Sequence, residues 1–266
     1  MANLWSTLSA RPWLRQLGRG VLLIAISLLA LQGYFALRLV AMNWIDPQSS
    51  SFQRSEAWRL AFVHPSNGWL QDWRAGSQIS NHLKRAVIAS EDSTFADHGG
   101  IDWDAMDKAW GRTQRSQAQI ERMNEQAARK AARPGAREPA KREPKVYGGS
   151  TISQQLAKNL FLSGERTVVR KAQELVITLM LETVLPKRRI LEIYLNSVEW
   201  GEGVFGAQAA ARYYYRVDAA QLSQPQAARL AVMLPAPKRF EKLPYSAYLA
   251  SRSMTVQARM NAVVLP

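Results

Sequence analysis

Residues 148–196 read GGSTISQQLAKNLFLSGERTVVRKAQELVITLMLETVLPKRRILEIYLN, and this stretch decides the fold class. Gly148 and Gly149 lead into Ser150 and Thr151, and Gln154 stands three places after Thr151. That spacing is a capping box, so a helix is expected from there to about Leu160. Thr167 opens a second helix, with Val168, Ala172, Leu175, Val176, Leu179 and Thr183 expected on its apolar face. Pro186 stops it, because proline cannot continue a helix.

Outward from this stretch the helical reading continues. Ile79, Leu83, Ala86, Val87 and Ser90 recur at threes and fours, so a helix should end near Glu91–Asp92. A polar loop, 93–100, and a short helix around Asp102–Trp110 follow. Downstream, helices are expected at about 187–196, 203–215 and 223–234, the last with Ser223 as cap and Pro225 in its first turn. No strand alternation stands out, so the expected class is mainly α. Residues 246–266 are expected to be a tail.

The first forty residues describe an anchor. Gly20 to Leu37 is uncharged, flanked by Arg19 and Arg38. A spanning helix needs about 20 mostly apolar residues. Arg11, Arg15 and Arg19 precede it, which predicts a cytoplasmic amino end (1–19) and a domain outside. Trp5, Trp13 and Trp44 suit the interfacial belts. The apolar run is longer than that of a cleaved signal, and no small-residue cleavage site follows. The anchor is therefore set at 20–41, a juxtamembrane segment at 42–77, and a catalytic domain at 78–245. The apolar residues around Trp58–Trp73 are expected to dip into the interface.

Residues 111–147 change character. Up to residue 145 they hold ten Lys/Arg and four Asp/Glu, with prolines at 134, 139 and 144. A mobile basic insertion is expected, helical at most to Ala132. Aromatic residues for stacking on bases are absent, so nucleic acid is not the expected partner. Overall the 266-residue chain carries a formal charge of +14, which favours an anionic partner. It has no cysteine, which excludes disulfides, thiolate metal sites and a cysteine nucleophile. The three histidines, His64, His82 and His98, show no metal-ligand rhythm.

Three clusters carry chemistry. In SEDSTFADHGGID (90–102), Glu91 and Asp92 stand beside a glycine-rich turn, where a carboxylate can act as a general base if its surroundings raise its pKa, the alternative being a solvated helix terminus. In GGSTISQQLAKN (148–159), Thr151, Gln155 and Lys158 share one helix face. The glycines before it suit an anion, although the P-loop pattern is missing. In ERTVVRKAQE (165–174), Arg170 and Lys171 lie one helical turn before Glu174.

These three clusters, with RRILEIYLN (188–196) and GVFGAQAAARYY (203–214) in order after them, resemble the peptidoglycan glycosyltransferases of family 51. That lysozyme-like domain is shared with bifunctional penicillin-binding proteins. The resemblance covers about residues 78–240. With no transpeptidase domain following, the monofunctional form is expected. It implies an inverting polymerisation of lipid II into β-1,4-linked glycan, with release of undecaprenyl diphosphate, at the outer face of the cytoplasmic (inner) membrane. Glu91 then matches the general base, and Glu174 the second acidic residue near the donor's pyrophosphate. Lys158, Arg166, Arg170 and Lys171 match phosphate-holding cations. Ser150, Thr151, Gln154 and Gln155 match the polar wall of the groove. The resemblance also implies substrate binding at Asp92, Phe95, His98, Gly149, Asn159 and Asn196. Where some relatives carry a lysine before the second glutamate, this chain has Gln173, which shifts load to Arg170 or to a divalent ion (Mg2+ or Mn2+) near Glu174. Association with other cell-wall synthesis or division proteins is a further expectation. A lysozyme-like hydrolase is the first rival, and a non-catalytic membrane scaffold the second. The cations around Lys158–Lys171 argue against a hydrolase, which has no pyrophosphate to hold.

Overall fold

The computed structural model describes residues 12–63, 68–131, 140, 142–144, 148–165 and 167–266. Trp5, His64 and Arg166 lie outside the described residues. Helix α1, Pro12–Ala41, contains the apolar stretch and is long and apolar enough to cross a membrane. Its upper part is exposed, but Phe35, Leu39 and Met42, at and beyond its end, are buried in the domain core. The anchor therefore ends inside the domain.

Helix α2, Ser51–Val63, occupies what was expected to be a juxtamembrane connector. A small sheet follows from three short strands. Strand β1 (Leu70–Gln71) runs parallel to β3 (Val204–Phe205), which pairs antiparallel with β2 (Glu199–Gly201). This sheet was not expected, because two- and three-residue strands show no period-2 pattern. Gly203, at φ +76, turns β2 into β3 against the carbonyl of Gly68, where a side chain would clash.

Helix α3, Asn81–Glu91, starts on Ser80 and buries Leu83, Ala86, Val87, Ile88 and Ala89. Helix α4 spans Trp103–Ala131, longer than the short helix expected around Asp102–Trp110 and within the limit of Ala132 set for helix in the basic insertion. An inner stripe at Ala105, Ala109 and Thr113 gives it a partner face, and Asn124 bonds the backbone of Arg142 in both directions. Helices α5 (Ile152–Phe161) and α6 (Val168–Val184) follow the capping residues Thr151 and Thr167. Helix α7, Lys187–Ser197, runs after Pro186.

Beyond the sheet come α8 (Ala207–Tyr215), α9 (Gln224–Met233), the short α10 (Pro237–Glu241) and α11 (Ala247–Met260). Helix α11 corrects the expected tail. Ser246 caps it, and Leu249, Ser253, Val256 and Met260 bury a stripe against α3 and α9. Spacings of four, three and four fit one helical face.

Helix α6 is turned the other way from its expected face. Glu174, Ile177, Thr178 and Leu181 are buried, whereas Leu175, Val176 and Leu179 stay exposed. Residue Gln173 faces the anchor, where it and Gln32 exchange two amide hydrogen bonds of 2.9 Å. The class is mainly α with an N-terminal anchor helix, as expected.

Candidate active site

Asp92 ends α3 and starts the site. Its Oδ2 accepts from the backbone N–H of Ile152 at 2.9 Å, satisfying an orphan donor at the start of α5. Its Oδ1 meets His98 Nε2 at 2.9 Å, and His98 Nδ1 accepts from the Gly100 N–H. Thr151 Oγ1 donates to the Gly100 carbonyl at 2.7 Å. Gly100 takes φ +91, and a Cβ there would also strike Glu182 and Thr178 of α6, so both conformation and space call for glycine. The loop between α3 and α4 is thus stitched to two helices, and Glu91 is delivered beside α5.

Glu91 is partly buried, and its Oε2 accepts from Gln155 Nε2 at 3.1 Å. Gln155 Oε1 in turn accepts from the buried Tyr194 hydroxyl at 2.9 Å. Burial raises the proton affinity of Glu91; the bonds from Gln155 and Ser90 and the charge of Arg252 oppose it, and Asp92 adds to it. A carboxylate in this state can take a proton from an alcohol near neutral pH. It lines a hollow of about 200 Å³ with Asp102, Arg112, Ser150 and Arg259.

A second cavity, of about 340 Å³, lies further along α5. Gln155, Lys158 and Asn159 line it with Arg170, Tyr194 and Glu199. Behind Arg170, Glu174 is buried. Arg170 Nη1 holds its Oε2 at 2.8 Å, and Lys171 Nζ holds Oε1. This arrangement suits an anionic ligand flanked by cations. It does not suit a divalent ion on Glu174, since both carboxylate oxygens already carry cationic partners. Among the described residues, the carboxylates and imidazole close enough to share a metal are Asp92, His98 and Asp102. Their atoms are engaged within the protein: Asp102 accepts from Thr94 and from the Ala105 N–H.

Several expected site residues are engaged in holding the fold, although Asp92, Gly149 and Thr151 also line the Glu91 hollow. The Phe95 ring has no exposed surface and packs under Lys187, so it cannot line a groove. Asp92 and His98 brace the loop. Gly149 lets the chain pass against Met106 and Ala109 of α4. Thr151 and Gln154 are occupied as the capping box. Asn196 gives its amide to the backbone of Arg74 and Glu192, tying α7 to the segment after β1. Ser150 is exposed on the Glu91 side. The sequence reading missed Arg112, Tyr194, Glu199, Arg252 and Arg259. Two of these sit on α11, whose burial stripe was the available signal.

A helical domain joined to an apolar helix, with a partly buried carboxylate beside α5 and a cation-lined cavity further along it, has the layout of a glycosyl-transfer enzyme. The chain belongs to the transglycosylase family, whose model matches residues 63–122 and 127–261. It is 45% identical over 254 residues to a biosynthetic peptidoglycan transglycosylase of Paraburkholderia phytofirmans, covering 96% of this chain and 94% of that protein. The Burkholderia pseudomallei protein of the same name is 48% identical over 254 residues, covering 96% and 88%. A Burkholderia ambifaria relative, also so named, is 46% identical over 260 residues, covering 98% and 94%.

Proposed function

We propose that this protein is a peptidoglycan glycosyltransferase that polymerises lipid II into β-1,4-linked glycan with release of undecaprenyl diphosphate. The observation that carries the reading is the double use of α5. Gln155 bonds Glu91 on one side and, with Lys158 and Asn159, lines the cation-bearing cavity on the other.

The chemistry follows from that layout. Glu91 takes the proton from the 4-hydroxyl of the acceptor N-acetylglucosamine as that oxygen attacks the anomeric carbon of the donor N-acetylmuramic acid. The bond from that carbon to the pyrophosphate breaks, and inversion gives the β link. Lys158, Arg170 and Lys171 balance the charge on the leaving pyrophosphate. Glu174 holds Arg170 and Lys171 in place. Sugar hydroxyls are weak nucleophiles, so the base is needed, and its burial-raised proton affinity supplies the match.

The membrane setting supports the same reading. A polyprenyl-linked substrate stays at the bilayer, and α1 keeps the domain there. The arginines before it favour a cytoplasmic amino end, with the domain on the periplasmic face of the inner membrane. Trp58 and Phe62 on α2 are exposed and stacked at 5.3 Å, suited to the interface. An anchor-deleted protein should then retain liposome binding, and its loss in Trp58→Ser/Phe62→Ser would locate the contact.

The test is labelled lipid II with wild type and Glu91→Gln side by side. Polymer from wild type alone supports the reading. Degradation of finished peptidoglycan in place of polymerisation would turn it to the hydrolase.

A further inference from the structure

We propose that Glu199 is a further substrate-positioning residue, whose carboxyl group donates a hydrogen bond to a phosphate oxygen of the donor bound in the cavity with Lys158 and Arg170. The inference rests on the function proposed above and adds a residue to it.

Glu199 opens β2 and forms part of the same cavity wall as Lys158, Asn159 and Arg170. Only 7% of the residue is exposed. Its nearest cation, Lys238 Nζ, lies 3.3 Å from Oε1, yet the same ammonium is drawn more tightly to Glu56 at 2.6 Å. Oε1 is left shut off from solvent without an aligned hydrogen bond. On the same wall, Arg170 Nε is also buried and unpartnered. Buried polar groups in folded proteins are normally paired. Both residues line one open cavity, so a turn of either side chain brings its unpaired group to a ligand bound there.

The surrounding charges select the ligand's chemistry. Lys238 faces Glu199 from α10, Glu56 and Arg59 from α2, and Tyr214 from α8, while Lys158 and Arg170 share the cavity. Glu56 competes for Lys238, so Glu199 has only a share of one ammonium. Burial then dominates and raises its pKa to about 7. In the ionised form it repels the pyrophosphate that Lys158 and Arg170 attract. In the acid form it has an O–H to give, and an ionised phosphate diester only accepts. Donor binding therefore favours the protonated state, and loosens as pH rises through neutrality.

The experiment measures KM and kcat for lipid II between pH 6 and 8.5 on the full-length enzyme in detergent. Wild type should show KM rising above about pH 7. Glu199→Gln, which keeps a donor at the same reach, should hold KM within about twofold of wild type at pH 6.5 and remove the rise. Glu199→Ala should raise KM about tenfold at pH 6.5, the loss of one hydrogen bond to a charged group. Glu202→Gln, which breaks the Arg59 pair outside the cavity wall, should behave as wild type. Titration of Glu91 acts through kcat and is common to all four proteins. A flat wild-type KM, or a Glu199→Gln KM as poor as that of Glu199→Ala, overturns the inference while the polymerase reading stands. If Glu199→Ala does not fold, the pH profile of Glu199→Gln decides. A wild type that makes no polymer overturns both.

Discussion

Glu91 lines a hollow beside α5, and Glu174 lies buried behind the cation-bearing cavity further along it; both are withdrawn from water, but they are bound in opposite ways. Glu91 meets a neutral amide, and the charge of Arg252 acts on it only through space. Glu174 is buried more deeply and grips a guanidinium and an ammonium directly. Burial alone raises a carboxylate's proton affinity, and a partner cation cancels it. On the mechanism proposed above, the contrast is between a group that accepts a proton and one that holds cations beside an anion.

The largest expected effect breaks the first half of that contrast. Glu91→Gln keeps the shape and the amide contact but removes the base, so kcat should fall by about 10²–10⁴ with thermal unfolding unchanged. The pH profile supplies the sign. Only ionised Glu91 is active, and its pKa lies above the ordinary carboxylate value, so activity climbs with pH and its acid limb sits above the usual range. A Glu91→Gln enzyme as fast as wild type would sink the assignment.

Next comes the second half. Glu174→Ala strips both cations of their partner, and Arg170, mostly buried, is then left uncompensated. Removing one partner of a buried pair costs about 3–5 kcal/mol. Lys171, half exposed, adds little to that figure. Thermal or denaturant unfolding should therefore register Glu174→Ala strongly, where Glu91→Gln leaves stability intact. Equal stability in the two variants would erase the distinction.

Gln155→Leu sharpens the contrast at smaller scale. Its bond lowers the proton affinity of Glu91, so losing it should move the acid limb of kcat to higher pH. The stranded Tyr194 hydroxyl should cost about 1–3 kcal/mol in unfolding experiments. An acid limb that stays in place would mean that the amide does not tune the base.

How much of this was legible depends on whether the signal was local. The capping box at Thr151 and Gln154, the end of α3 at Glu91 and the pairing of Arg170 and Lys171 with Glu174 depend on residues within a turn of one another, and the structure has them all. The use of each residue was less legible. Asp92, His98 and Asn196 look like polar groove residues in sequence, but their bonds run to backbone groups up to 122 positions away. Arg252 reaches the Glu91 side because α11 packs on α3; the stripe of α11 marks a helix locally, but not the helix it packs on. The buried face of α6 was misjudged for a different reason. Hydropathy scores an apolar side chain alike whether it faces a protein core or a bilayer, and α6 packs along the end of the anchor.

That packing supplies the smallest expected effect and carries the comparison into the membrane. Gln173 immediately precedes Glu174, and its amide is matched head to tail with that of Gln32 in the apolar stretch of α1. Polar pairs between spanning helices contribute about 0.6 kcal/mol on average and reach about 1.7 kcal/mol. Gln32→Leu should then lower stability in detergent by about 1 kcal/mol, because it leaves the Gln173 amide facing an apolar neighbour. Gln32→Leu combined with Gln173→Leu should recover most of that loss, since two apolar groups replace two matched polar ones. The Glu91 acid limb should not move in either variant, because the hydrogen bonds of the pair run to each other and not to Glu91 or Gln155. If it does move, the anchor reaches the base as well as the cation-holding helix, and the surroundings of Glu91 and Glu174 are not independent.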